Sequence, residues 1–271
     1  MNQKQISLGV TDLSFHRVTG SLLAHVLTDM GFEVSRHYAP HQENFMHLEQ
    51  GKVDLLTSAW LPSSHGEYKA QVEKVVPLIE LGLHYQPYAL WGAPDYVPAE
   101  DVEQVSDLLK PEVKAKMNPT IQGIGPGAGI TRFSIEMMDA YGLNSAGYCF
   151  LTGTQDDCIQ AFEQAVNNGD WAVVPLWQPQ FLHHQYKIRE IREPKGLLGV
   201  VDRAVLLLRG DKKHLFTEPQ LNVLDNLQFS NEIISKLDYL VSQRGEALDL
   251  VTRNWLDTVY YPNQSMETVN E

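Results

Sequence analysis

Trp60 and Trp177 are the residues whose type and setting most invite a chemical reading. Each closes an apolar run predicted to be a strand (53–58 and 171–176), and each is followed two residues later by a proline, in Trp60-Leu61-Pro62 and Trp177-Gln178-Pro179. A tryptophan at a strand end turns a large π-face beyond the sheet edge, where ligands of open α/β sheets bind. One such tryptophan reads equally well as core. Two copies of the pattern suggest an aromatic receptacle built from two halves of the molecule. His65 lies five residues after Trp60 in the same polar turn. Beside an aromatic wall it is a candidate donor to a ligand carboxylate, set against the plain alternative of a surface histidine.

The stretch Gly123-Ile124-Gly125-Pro126-Gly127-Ala128-Gly129-Ile130 sits between a predicted strand and a predicted helix. It meets part of the dinucleotide fingerprint through Gly123, Gly125 and Ala128, but the acid expected about 20 residues on is missing from 142–150. A simpler reading is an anion seat. The glycines allow close approach to a ligand, and the amides of Gly129 and Ile130 at the helix start suit a carboxylate. Arg132, one step inside the helix, is a candidate helper, with an exposed surface arginine as the commoner outcome.

Other chemistry finds little support. No Gly-x-Ser-x-Gly elbow, Gly-Lys-Ser/Thr loop, His-Glu-x-x-His or Cys-x-x-Cys spacing occurs. His41 and His47 flank Glu43, and His183 and His184 are adjacent; solvated histidines are the expectation for all four. No cofactor, metal or catalytic set is expected. Cys149 and Cys158 read as two buried thiols rather than a disulfide. The formal net charge of −13 opposes nucleic acid and anionic membranes as partners. No apolar run approaches the ~18 residues of a membrane span, and the first residues, Met1 to Val10, carry no secretion signal, which leaves the compartment open.

The elements that must hold these groups form two β-α-β-α-β sets, the pattern of parallel sheets covered by helices. The first set runs strand 6–10, turn 12–17, helix 18–30 closed by Gly31, strand 32–38, helix 44–50 and the Trp60 strand. Extended segments at 75–81 and 85–93 follow, then a helix at 102–109 and an irregular connector at 111–119. The second set comprises strand 120–124, helix 130–141, strand 148–152, helix 155–167 and strand 171–176, with a further strand at 187–192. After an apolar strand at 199–209 the chain becomes helical, at 219–228, 231–244 and 246–257, and the tail beyond Pro262 is expected to fray. The resulting expectation is an α/β protein of two lobes, 1–94 with 200–271 and 95–199. The helical end packs on lobe one, and the hinge crossings lie near 90–98 and 196–204, so that ligand groups on both sides make a clamp.

With these residues in place, the chain resembles the glycine betaine/choline-binding proteins, the substrate-binding components of ABC importers for osmoprotectants. The similarity is carried by Ala59-Trp60-Leu61-Pro62-Ser63-Ser64-His65-Gly66-Glu67-Tyr68, by the glycine-rich stretch, and by Leu176-Trp177-Gln178-Pro179-Gln180-Phe181 through Tyr186 and Glu193-Pro194-Lys195. It spans roughly residues 6–196. The resemblance implies a two-lobed periplasmic-binding-protein fold of the second type with ligand in the cleft, no enzymatic activity, an ABC permease as partner and an extracytoplasmic setting; a monomer is the expectation for the oligomeric state. It further implies a trimethylammonium group boxed by aromatic rings through cation–π attraction, with Trp60 and Trp177 as walls. His65 and the amides of Gly129 and Ile130 would hold the carboxylate.

The chain departs from the family where many members carry a third tryptophan, in the stretch 9–19. Val10 or Leu13 stands there, with Phe15, His16, Phe45, Tyr85 or Tyr88 as candidate substitutes. Gln180 and Phe181 replace a more usual His-Trp, and Asp12 is placed to pair with an ammonium that retains N–H donors. The ligand class is therefore a small quaternary-ammonium or related zwitterion of the betaine, choline, carnitine or proline type. A cytoplasmic ligand sensor on the same clamp fold is the alternative, and a small-molecule enzyme a third reading disfavoured by the lack of a nucleophile–base pair.

Overall fold

The computed structural model describes residues 4–262. The expected fraying of the tail beyond Pro262 falls outside the described residues. The chain divides into two compact units, Met1–Ala59 with Glu67–Tyr85 and Ala204–Glu271, and Trp60–Gly66 with Gln86–Arg203. Against the expected division at 94 and 200, these boundaries fall at 85/86 and 203/204. The segment Trp60–Gly66, expected with lobe one, groups with the second unit.

In chain order the elements are β1 (Lys4–Thr11), α1 (Ser14–Asp29), β2 (Phe32–Ala39), α2 (His41–Glu49), β3 (Leu55–Leu61), α3 (Gly66–Val72), β4 (Leu78–Tyr85), β5 (Tyr88–Pro94), α4 (Pro111–Lys114), β6 (Thr120–Gln122), α5 (Gly129–Ala140), β7 (Cys149–Leu151), α6 (Gln155–Asn168), β8 (Val174–Gln178), α7 (Leu182–Gln185), β9 (Ile188–Ile191), β10 (Arg203–Arg209), α8 (Glu218–Asp225), α9 (Asn231–Ser242) and α10 (Leu248–Trp255).

The first unit is built on a five-stranded sheet in the order β2-β1-β3-β10-β4. β1 pairs in parallel with both β2 and β3, and β10 runs antiparallel to β4. Ile6, Leu8 and Val10 of β1 are buried, as are Val18, Leu22, Leu23, Val26 and Leu27 of α1. That helical spacing gives α1 one apolar stripe for the sheet. Gly20 is what lets α1 come close: a Cβ there would lie 2.7 Å from Val10 Cγ2. On the other side of α1 the helical tail is anchored by polar contacts. Ser21 Oγ shares a hydrogen bond with Thr252 Oγ1 at 2.7 Å, and Arg36 donates to both Asp249 oxygens at 2.6 and 2.7 Å. The Arg36 hydrogen bond holds the Asp249 carboxyl down at about 2.

The second unit departs from the expected parallel sheet. β6 and β7 form a parallel pair, while β5 runs antiparallel to both β8 and β9 in a separate three-stranded sheet. Two isolated parallel bridges, Met117–Trp171 and Gln104–Arg192, lie outside these strands. Pro175 in β8 has no N–H to give a ladder, and regular pairing of β8 is confined to β5. Trp91 of β5 is fully buried and donates Nε1–H to Ser134 Oγ of α5 at 2.8 Å.

Several local expectations are corrected. α1 begins at Ser14, so Phe15 and His16 stand in its first turn rather than in a preceding loop. The segment after His65, read only as a turn, continues into α3. The strand expected from residue 199 begins at Arg203. The connector 111–119 contains the single turn α4, and the last helix continues as a π-helical turn, Leu256–Tyr260. Cys149 is exposed on β7 rather than buried; Cys158 is buried, and both thiols are free. Burial pushes the Cys158 thiol up to about 12.

Candidate functional site

β3 carries Trp60 as its penultimate residue, and the backbone bends just before it. Ser58 has φ 52°, the one non-glycine residue with positive φ among those described. Such a left-handed serine costs on the order of 1–3 kcal/mol, and the buried Tyr85 hydroxyl holds it by donating to Ser58 Oγ at 3.0 Å. Trp60 is 7% exposed. The Leu61–Pro62 bond is cis, and the turn that follows folds back on the tryptophan. The His65 amide donates to the Trp60 carbonyl at 2.9 Å, and the Trp60 amide donates to His65 Nδ1 at 2.9 Å. With Nδ1 accepting, the proton of the neutral ring sits on Nε2, which becomes the donor nitrogen. The two rings are 6.2 Å apart and tilted by 34°.

The same turn is gripped by a buried carboxylate that lies far from it in sequence. Asp202 is 2% exposed and accepts from Ser63 N at 2.6 Å, Ser64 N at 3.0 Å and Ser64 Oγ at 2.7 Å. The Val200 amide donates to Ser63 Oγ at 3.1 Å. Arg132, expected at the surface or on a ligand, is half-buried and donates to two carbonyls, Ser64 O at 2.6 Å and Gly127 O at 3.0 Å. It thereby ties the Trp60 turn to the glycine-rich turn. Gly129 permits that approach, because a Cβ there would lie 2.9 Å from Ser64 Cβ and 3.0 Å from Ser64 Cα.

The glycine-rich turn is itself fixed. Thr131 Oγ1 donates to Ile124 O at 3.1 Å, and a Cβ at Gly123 would strike the Phe150 ring at 2.4 Å. α5 then starts with Ala128 at the cap position, no side-chain cap and no acid in its first turn. α6 differs: Thr154 and Asp157 close a reciprocal capping box there. The first amides of α5, including those of Gly129 and Ile130, therefore receive no side-chain cap from Ala128.

Trp177 occupies the matching place in β8. It is 1% exposed, and the Gln178–Pro179 bond after it is also cis. A histidine again folds back on the tryptophan backbone: His183 Nε2 bonds to Trp177 O at 3.0 Å, so that nitrogen must carry the proton. Burial lowers His183 to about 4, with that hydrogen bond opposing. The expectation of a solvated His183-His184 pair thus fails for His183, which is half-buried, while His184 is exposed. Gln180 and Phe181 are buried at 0% and 2%.

The remaining candidates are distributed as follows. Tyr88 of β5 is half-buried and donates to Glu190 at 2.7 Å; burial first, then Glu190, raises its hydroxyl. In the first unit, Asp12 is exposed and holds Arg17 at 2.5 Å, with the Arg17 guanidinium 4.7 Å from the Tyr38 ring centre. Leu13 is the half-buried cap residue of α1. Phe15 and His16 are buried neighbours, ring centres 4.2 Å apart, and burial lowers His16 well below its ordinary value. Among the described residues no His, Cys, Asp or Glu cluster is arranged to hold a metal, and no helix is long and apolar enough to cross a membrane. Sequence reasoning gave no role to Ser58 or Asp202, named Ser63 and Ser64 only within the family motif, and read His183 as solvated. Asp202 has no local signal at all, since its partners lie more than 130 residues away.

The sequence pattern of the OpuAC family, described as the substrate binding domain of ABC-type glycine betaine transport systems, matches residues 4–258. The chain belongs to this family. It is accordingly a solute-binding component of ABC-type import and not an enzyme, and it has the family's α/β periplasmic-binding-protein fold. Solved structures agree on the fold. The lactococcal OpuAC, closed and complexed with glycine betaine, is 22% identical with a TM-score of 0.80, covering 94% of this chain and 95% of that one. The glycine betaine/L-proline-binding protein ProX of Borrelia burgdorferi is 20% identical with a TM-score of 0.82, covering 94% of each chain. An ABC-transporter choline-binding protein in complex with choline is 15% identical with a TM-score of 0.81, covering 97% and 90%. No curated protein sequence matches the chain.

Proposed function

We propose that the chain binds a small zwitterion or quaternary ammonium of the glycine betaine, choline, carnitine or proline type through its second unit and passes it to an ABC permease. In this reading Trp60 and Trp177 supply aromatic faces for the cationic head, where cation–π attraction compensates for lost hydration. His65, with Nε2 as its donor, and the amides of Gly129 and Ile130 take the carboxylate. The observation that carries the reading is the joint presence, in one compact unit, of two strand-end Trp-x-Pro loops, a tautomer-fixed histidine and an uncapped helix start. The protein acts as a monomer in an extracytoplasmic setting, with lobes that hinge near the chain crossings. The family match favours transport over the sensor alternative.

Titration calorimetry with glycine betaine, choline, carnitine and proline tests this reading. Binding of at least one of them at micromolar affinity is expected. Affinity no better than millimolar for all four would remove the reading's support.

A further inference from the structure

The Trp60 turn is held by more than its own chain. A buried carboxylate collects three donors from Ser63 and Ser64, and a guanidinium joins the Ser64 carbonyl to that of Gly127. The two ends of the carboxylate-binding set are therefore joined at one residue. Ser64 precedes His65 directly, and it packs at the position where a Cβ on Gly129 would collide. Charge-assisted hydrogen bonds of this kind are about twice as strong as neutral ones and are directional, so they fix geometry and not only burial.

We propose that Asp202 and Arg132 are positioning residues. By latching Ser63 and Ser64 they set the orientation of the His65 imidazole and its distance from the amides of Gly129 and Ile130, and so determine selectivity for ligands bearing a carboxylate. Neither touches ligand in this scheme; both act through the turn. The inference rests on the function proposed above, but its first readout needs no ligand.

The test uses Asp202→Asn, Arg132→Ala and the milder Ser64→Ala, which removes one donor to Asp202 and no charge. In wild type, the ¹⁵N resonances of the His65 ring, assigned by subtraction in His65→Gln, should show a single neutral tautomer with the proton on Nε2. In Asp202→Asn and Arg132→Ala they should move toward a mixture of tautomers, and Ser64→Ala should give a smaller shift in the same direction. Glycine betaine affinity should fall about tenfold or more in the first two variants, with each variant still showing a cooperative thermal transition. An unchanged His65 tautomer in all three variants overturns the proposal, and so does unchanged betaine affinity in variants that remain folded. If Asp202→Asn and Arg132→Ala fail to fold, Ser64→Ala decides alone by the same two readouts. If wild type binds none of the four ligands, the proposed function fails while the tautomer readout still decides the latch.

Discussion

The two strand ends that carry Trp60 and Trp177 start from one local plan and are completed by different physics. Each has a tryptophan, a cis proline two residues on, and a histidine folded back onto the tryptophan backbone. Beyond Pro62 the turn is polar and held by Asp202 and Arg132 through hydrogen bonds. Beyond Pro179 the chain buries Gln180, Phe181 and Leu182 beside the hydrogen bond from His183 to the Trp177 carbonyl. A packed loop loses stability when its large side chains are truncated, whereas a hydrogen-bonded loop is sensitive to small changes of angle. The Trp177 end is therefore the more deeply buried of the two, and the Trp60 end the part whose geometry is set by specific polar partners.

The largest effect that can break this comparison is on stability. Trp177→Ala removes a fully buried ring and should cost about 3–5 kcal/mol, seen as a lowered urea midpoint. Trp60→Ala should cost less stability but abolish measurable binding of the preferred ligand. Equal stability losses at the two sites would dissolve the distinction. Trp60 is itself buried, so its removal costs packing as well as binding; Trp60→Phe, which keeps a ring, separates the two.

Next in size is Gly129→Ala. The added methyl meets the Cβ and Cα of Ser64, and forcing the turns apart should cost about 1–3 kcal/mol. Affinity for glycine betaine should fall in parallel, whereas choline, which has no carboxylate, should be less affected. Calorimetry with both ligands checks this.

A smaller effect is expected from pH. His183 titrates at about 4 in the folded protein against an ordinary value of 6.5, and His84, also buried, at about 4. Between those values the unfolded chain takes up protons that the folded chain refuses. The part of the stability that depends on these histidines should therefore fall as pH drops from 6.5 toward 4 and level off below. For the fully buried His84 the full loss is on the order of 3 kcal/mol. Urea midpoints at pH 7, 5.5 and 4.5 should show this slope, and His183→Gln should make it shallower, the remainder coming from His84 and His16; an unchanged slope would mean that the Trp177 end does not depend on a neutral histidine. The smallest change is His184→Ala, next to His183 but exposed. It should move the midpoint by less than about 0.5 kcal/mol.

Much of the fold was legible because helices and parallel strands repeat their apolar residues at short, regular spacing. Val18, Leu22, Leu23 and Val26 announced α1, and Leu8 and Val10 announced β1. The second unit was harder to read: β6 and β7 are only three residues long, and periodicity over so short a run cannot distinguish one parallel sheet from two smaller ones. Trp60, Trp177 and the glycine-rich turn were recognisable because each motif is local, with its distinguishing residues only a few positions apart.

What the sequence determined by itself was the family, the α/β class and the residue types available to a ligand, since all of these rest on local pattern. Only the tertiary structure decided how the Trp60 turn is held. Asp202 finds Ser63 and Ser64 across more than 130 residues, and Arg132 finds Ser64 across 68. Long-range hydrogen bonds between single polar residues leave no periodic trace in a sequence. They depend on where the packed elements happen to bring two groups within 3 Å, and that is set by the whole core rather than by either neighbourhood.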